Sequence, residues 1–286
     1  MLQESVQFSR GPETIAAAFF APEGGSAPKP CLVICHGAFE YKENFFPLAA
    51  FLAEGGVGAL VPDMPGHGQS SGDRYHINID LWVRVISRAV DWLAERPEID
   101  GRRIGAFGFS SGGTAVLEAA LVDPRIKALI TLDATVRNYL GVWDTLVFKL
   151  LNGAGRLKKK LTGRDLRLNI LKELQNARVA HDPAVNAAVI SDPSLVAAYK
   201  AFPLPGAAPT AFVDTLSRLD KISAPTLILH GAEDHVDPPE TARLILDALT
   251  CEKHLEFLPE SGHCGHLDTH KNQMMQLTKD WAVRHL

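Results

Sequence analysis

Between residues 31 and 132 the chain alternates short apolar runs with longer stretches of helical period, and this rhythm restricts the fold more than any other feature. Residues 31–35 (CLVIC) form a continuous apolar run opening into His36-Gly37, as expected of a strand covered on both faces. Residues 57–61, 103–109 and 126–132 repeat that signature, as do 226–230 and 254–258. Helical spacing fills the intervals. Residues 44–54 place Phe45, Leu48, Ala49 and Leu52 on one side, and 79–95 do the same with Leu81, Val85, Ile86, Ala89 and Leu93, stopping at Pro97. Further helices are expected over 111–122, 239–249 and 267–284, with an antiparallel edge pair over 3–8 and 14–20. Strands alternating with helices of this length need crossover connections, hence a mainly parallel sheet covered on both faces.

Composition sets outer limits. Apolar residues make up 46% of the 286 and charged residues 22%, so a packed core is expected rather than disorder. Lys and Arg number 29 against 33 Asp and Glu, a formal net charge of −4. With no basic excess to release counterions, and only 7% aromatic residues to stack on bases, no nucleic-acid partner is expected. Four cysteines are too few for a disulfide scaffold. Cys31 and Cys35 share a strand face but lie roughly 13 Å apart, too far to bond. Neither a signal peptide nor a membrane-spanning run is visible, so a soluble, cytoplasmic protein without stable membrane insertion is expected. A homodimer is compatible with the sequence.

One segment breaks the rhythm. From about 134 to 222 no buried-strand pattern occurs, only helical stretches punctuated by Gly and Pro. The expected organisation is a core of residues 1–133 and 223–286, with a helical cap of residues 134–222 inserted after the strand at 126–132. Pro203, Pro205, Gly206 and Pro209 read as a stiff return to the core. Residues 141–180 hold nine Lys or Arg and three Asp or Glu, concentrated in Arg156-Leu157-Lys158-Lys159-Lys160, Arg164 and Arg167. They read as the solvated face of surface helices, with attraction of an anionic substrate tail as the alternative. Nearby Trp143, Leu146, Val147, Phe148 and Leu150 suit either an acyl pocket or the packing face that any helical cap needs.

Gly108-Phe109-Ser110-Ser111-Gly112 fits G-x-S-x-G, and its setting matters more than its letters. It follows the apolar run 104–107 and precedes a helix, so its central hydroxyl is expected on a sharp strand-to-helix turn at a helix N-terminus that favours negative charge. Here the sequence resembles the α/β-hydrolase superfamily over nearly the whole chain outside the insertion. His36-Gly37-Ala38 looks like the family's oxyanion loop, and 63–70 (DMPGHGQS) like its D-x-x-G-H-G-x-S turn. Residues 231–238 (GAEDHVDP) are similar to the loop carrying the acid, and Ser261-Gly262-His263 to the loop carrying the histidine. The resemblance implies the α/β-hydrolase fold and leaves the substrate open.

A serine hydroxyl is a poor nucleophile at neutral pH and needs an imidazole to take its proton, with a carboxylate to fix the tautomer. The expected catalytic set is Ser110, Asp234 and His263, in the chain order this fold uses. Asp133 is the rival acid and His266 the rival base; Asp237 reads as a helix cap near Pro239, while His36 and His67 read as loop-holding groups. Backbone N–H groups of Ser111 and Ala38, with Phe39 as alternative to Ala38, are expected to receive the oxyanion. Phe39, Glu40, Phe109, Trp143 and Phe148 are the candidate substrate-pocket residues. Glu40 reads as a solvated or helix-N-terminal carboxylate, or else as a proton-managing group in C–C bond hydrolysis. No cofactor is expected, and no metal, because His263 and His266 lack companions at ligand spacing. The expected activity is hydrolysis of a small carboxylic ester or thioester through an acyl-serine. C–C hydrolysis, acyl transfer and a non-catalytic binding role on the same scaffold are the alternatives.

Overall fold

The computed structural model describes residues 3–24, 27–137, 141–206 and 213–286. Two edge strands, β1 (Gln3–Arg10) and β2 (Glu13–Phe20), pair antiparallel. Six further strands follow: β3 (Lys29–Cys35), β4 (Gly58–Pro62), β5 (Ile99–Phe109), β6 (Ile126–Leu132), β9 (Thr226–Gly231) and β10 (Lys253–Leu258). They join in the order β1-β2-β4-β3-β5-β6-β9-β10, and β4 through β10 run parallel. This is the α/β-hydrolase fold: a mostly parallel eight-stranded sheet between helices.

The buried strands show why the sheet needs helices on both sides. In β3, Cys31, Val33 and Cys35 pack into one apolar layer, and Leu32 and Ile34 into the other. The first layer is completed by α2 (Ile79–Ala94), α3 (Ser111–Val122) and α8 (Glu240–Ala248); the second by α1 (Phe46–Glu54) and α9 (Lys271–His285). Each such Val, Leu or Ile contributes roughly 1.5–3 kcal/mol by leaving water. Boundaries differ from expectation where side chains intervene. The stretch expected as one helix over 44–54 is a 3-10 turn, Lys42–Phe45, followed by α1, whose start Pro47 sets. The last helix starts at Lys271 rather than 267, because Leu267 and Asp268 N–H groups turn back onto Cys264 O.

The insertion between β6 and β9 contains α4 (Val142–Thr162), α5 (Leu171–Gln175), α6 (Pro183–Ile190) and α7 (Pro193–Lys200). It is not wholly helical. Two three-residue strands, β7 (Leu166–Leu168) and β8 (Phe202–Leu204), pair antiparallel across it, too short to carry a periodic signal. Pro209 lies outside the described residues.

Candidate active site

Ser110 follows β5 directly and is the N-cap residue of α3, in a left-handed conformation, φ 50° and ψ −119°. A side chain there is strained by about 1–3 kcal/mol, and the turn survives because its flanks lack Cβ atoms. A Cβ on Gly108 would sit 2.3 Å from Gly112 O, and one on Gly112 would sit 2.4 Å from both Cys35 O and His36 O. The Ser110 N–H donates to Leu132 O at 2.9 Å, tying the turn to the neighbouring strand.

Two loops from β9 and β10 meet this turn. Ser110 Oγ donates to His263 Nε2 (3.1 Å), and His263 Nδ1 donates to Asp234 Oδ2 (2.8 Å). The other Asp234 oxygen accepts Val236 N–H (2.7 Å) and Asp237 N–H (3.0 Å), so the carboxylate cannot swing. Glu233 N–H bonds Ser261 O at 2.9 Å, zipping the two loops together. Burial opposes a charge on His263, yet the carboxylates of Asp234, Asp133 and Asp237 outweigh it and raise its pKa above the ordinary imidazole value. Asp234 is lowered in turn: burial disfavours its charge, and His263 overcomes that.

The rivals are otherwise engaged. Asp133 Oδ1 accepts Gly231 N–H (2.8 Å), and burial, reinforced by Asp234, pushes its pKa well above the usual carboxylate range. Asp133, Asp234 and His263 present ligand atoms within 4.8 Å of one another, but Asp234 and His263 spend theirs on each other. Asp237 does not cap α8 as expected; its carboxylate accepts Thr135 Oγ1 at 2.6 Å, and Pro239 is the cap residue. His266 Nε2 meets Glu40 Oε1 at 3.1 Å instead of the serine.

Glu40 is not solvated, which corrects that part of the sequence reading; it stands just before Tyr41, the N-cap of the 3-10 turn. Its side chain is 12% exposed. Besides His266 it accepts Gly37 N–H (3.2 Å) and Asn44 Nδ2 (3.2 Å). Burial raises its pKa, but the adjacent His266 imidazole more than compensates and holds it below the ordinary glutamate value. His266 stacks on Phe45 with centroids 4.6 Å apart and leans on Phe109, which also touches His263. The loop 36–40 is thereby fixed against the histidine loop. His36 Nε2 accepts Met64 N–H (2.9 Å) and His67 Nδ1 donates to Pro65 O (3.0 Å). Burial holds both below the ordinary histidine pKa, His67 at about 3. Asp63 accepts Lys42 Nζ (2.8 Å) and Gln69 N–H (2.8 Å), closing the 63–70 turn.

Sequence reading missed Asp268. It is 2% exposed and accepts four backbone N–H groups: His181 (2.6 Å) and Asp182 (3.0 Å) from the insertion, Gly262 (2.8 Å) from the histidine loop, and Thr269 (3.0 Å). Those donors overcome burial and lower its pKa. The local signal was an Asp a few residues before a helix; its principal partners are 86 and 87 residues away. Asp268→Asn turns an amide N–H toward at least one of these donors. It is expected to cost about 3 kcal/mol and lower Tm by roughly 6–10 °C in a thermal melt. An unchanged Tm would show that the carboxylate is not what joins insertion and loop.

Phe39 (φ 65°) turns its ring into a cluster with Tyr75, Tyr199 and Phe202. Together with Glu40, Val189, Leu195 and Leu267 it lines a largely apolar cavity of about 150 Å³ between sheet and insertion. Phe109 is buried at the histidines, and Phe148 is half-buried on α4. Trp143 is 78% exposed and forms no pocket wall, because α4 turns its opposite side to the protein.

Sheet order, elbow and loops define an α/β-hydrolase. The chain belongs to the family described as serine aminopeptidase, S33, whose model matches residues 26–270. It is 27% identical to a thermostable monoacylglycerol lipase of Bacillus sp. (strain H-257), over 94% of this chain and 95% of that one. It is 26% identical to a monoacylglycerol lipase of Mycolicibacterium smegmatis, covering 91% and 90%. A solved structure of a hypothetical protein from Pseudomonas aeruginosa superposes with a TM-score of 0.83 at 22% identity, over 100% of this chain and 94% of that one. By this kinship the chain is a serine hydrolase of the lipase and esterase type.

Proposed function

We propose that this protein hydrolyses carboxylic esters or thioesters through an acyl-enzyme on Ser110. The observation that carries the reading is the unbroken relay Ser110 Oγ to His263 Nε2 to Asp234 (3.1 and 2.8 Å) at a strained elbow. As Oγ attacks the acyl carbon, His263 takes its proton and Asp234 holds the imidazolium. The oxyanion is received by the N–H groups of Ala38 and Ser111. Ser111 is the first residue of α3, where no intrahelical acceptor exists for its N–H. His263 then protonates the departing alcohol or thiol, and water repeats the sequence to release the acid.

The insertion, residues 134–222, acts in this reading as a cap over the site. Tyr41 Oη donates to Asp192 (2.9 Å), and the apolar cavity takes walls from both parts. Glycerol monoesters, named in two relatives, are the first physiological class to try. A fluorophosphonate probe is expected to label folded protein at Ser110, with labelling blocked by a hydrolysable ester. Folded protein left unlabelled would support a binding role on this scaffold instead.

A C–C hydrolase reading requires Glu40 to move protons. Its three hydrogen bonds favour a positioning role, so Glu40→Gln, which keeps an acceptor for Gly37 N–H, is expected to lower kcat on p-nitrophenyl butyrate by less than about tenfold. A loss of about 10²-fold or more is what a general acid or base would give.

A further inference from the structure

Eleven large apolar side chains are strongly exposed among the described residues, and eight of them lie on α4. At 100° per residue Trp143, Leu146, Leu150, Leu157 and Leu161 fall in one stripe along the helix, with Val147 at its margin. Trp143 is 78% exposed, Leu150 65% and Leu161 74%. The opposite side faces the protein: Asn152 and Gly155 are buried, a Cβ on Gly155 would lie 2.8 Å from Leu204 O, and Lys159 reaches Asp73 and Asp165. The remaining basic residues border the stripe, with Lys149, Arg156 and Lys160 along one edge and Lys158 along the other. Asp144 is the helix's one acidic residue.

We infer that α4 lies in the interface of an anionic lipid bilayer, apolar stripe inserted and basic edges on the headgroups. A long helix with a continuous apolar side, basic margins and little overall hydrophobicity has the composition of an in-plane interfacial helix. No helix among the described residues is long and apolar enough to cross a membrane. Net charge supplies the orientation: the chain as a whole carries −4, so the basic border of α4 is the part drawn to an anionic surface. A second copy of the chain fits less well. A stripe about 30 Å long and 10 Å wide offers roughly 300 Å², against about 800 Å² per partner in a stable complex, and a symmetric pairing sets like-charged margins against each other. Docking this way lays the insertion against the phase where acyl chains reside, though the inference does not depend on the chemistry of Ser110.

The test uses full-length Ser110→Ala protein, so that lipid turnover plays no part. It is expected to float with vesicles of equimolar phosphatidylcholine and phosphatidylglycerol, less with phosphatidylcholine alone, and less at high salt. Trp143 emission should shift to the blue on binding, with the shift gone in Trp143→Phe. Leu150→Glu/Leu157→Glu should weaken binding at least about tenfold. Introduced into the enzyme with Ser110 intact, the same pair should leave Tm and p-nitrophenyl acetate turnover unchanged, since both side chains are exposed. Three results would overturn the inference: no flotation on either vesicle, equal flotation of the double variant, or a dimer in sedimentation velocity that the double variant abolishes. Failure of ester turnover with flotation intact would sink the proposed activity and leave the docking surface standing.

Discussion

Ser110→Ala is expected to lower kcat/KM for p-nitrophenyl butyrate by about 10⁴-fold or more, with the protein still folded. The size follows from the relay. Without Oγ the imidazole has nothing to deprotonate, and only oxyanion stabilisation and binding remain to accelerate attack by water. Stability should move the other way in a companion variant. Ser110 holds φ 50°, a region that penalises a Cβ and admits glycine freely. Ser110→Gly is therefore expected to be as inactive as Ser110→Ala, yet more stable than it by about 1 kcal/mol or more in denaturant unfolding. The pair separates chemistry from strain. An alanine variant with more than about a hundredth of native activity would remove Ser110 from the mechanism, since a nucleophile cannot be so dispensable.

Asp234→Asn is expected to cost about 10³–10⁴-fold in kcat and to change the pH profile as well. In the proposed mechanism His263 is the general base and must be neutral to act, and the carboxylates around it raise its pKa above the ordinary value. In the native enzyme, kcat/KM should climb through an apparent pKa above about 6.5. Removing the Asp234 charge leaves burial as the larger influence, so the residual activity should rise at lower pH than in the native enzyme. The same shift has a sign for stability. His263, with a raised folded pKa, stabilises fully below about pH 6.5, and that contribution fades as pH rises through its folded value. Tm measured across neutral to alkaline pH should fall less steeply in Asp234→Asn than in the native protein. An unmoved activity midpoint would mean that Asp234 is not the group setting the charge on His263.

The sheet was legible because its signals are local. A run such as CLVIC declares a strand buried on both faces, and in the structure its residues do divide between two apolar layers. The strand-to-helix turn at Ser110 was legible for the same reason, since strand, small residues and helix are consecutive. The short strands of the insertion were not, because three residues carry no period. Trp143 and Phe148 shared one expectation and parted in the structure: helical spacing shows that they face different ways but not which way is inward. Glu40 looked solvated because its partner, His266, lies 226 residues along the chain. Asp268 drew no notice for a similar reason.

The amino-acid order alone determined the alternation of elements, hence a mostly parallel sheet, and the strained serine turn at its edge. Each of these rests on interactions within a few residues, which a linear reading contains. Folding decided which acid meets which imidazole, in which direction burial and neighbours move each carboxylate's pKa, and which side of α4 is left to solvent. Those outcomes depend on burial and on groups brought together from distant parts of the chain, and both come into being only when the sheet closes around them.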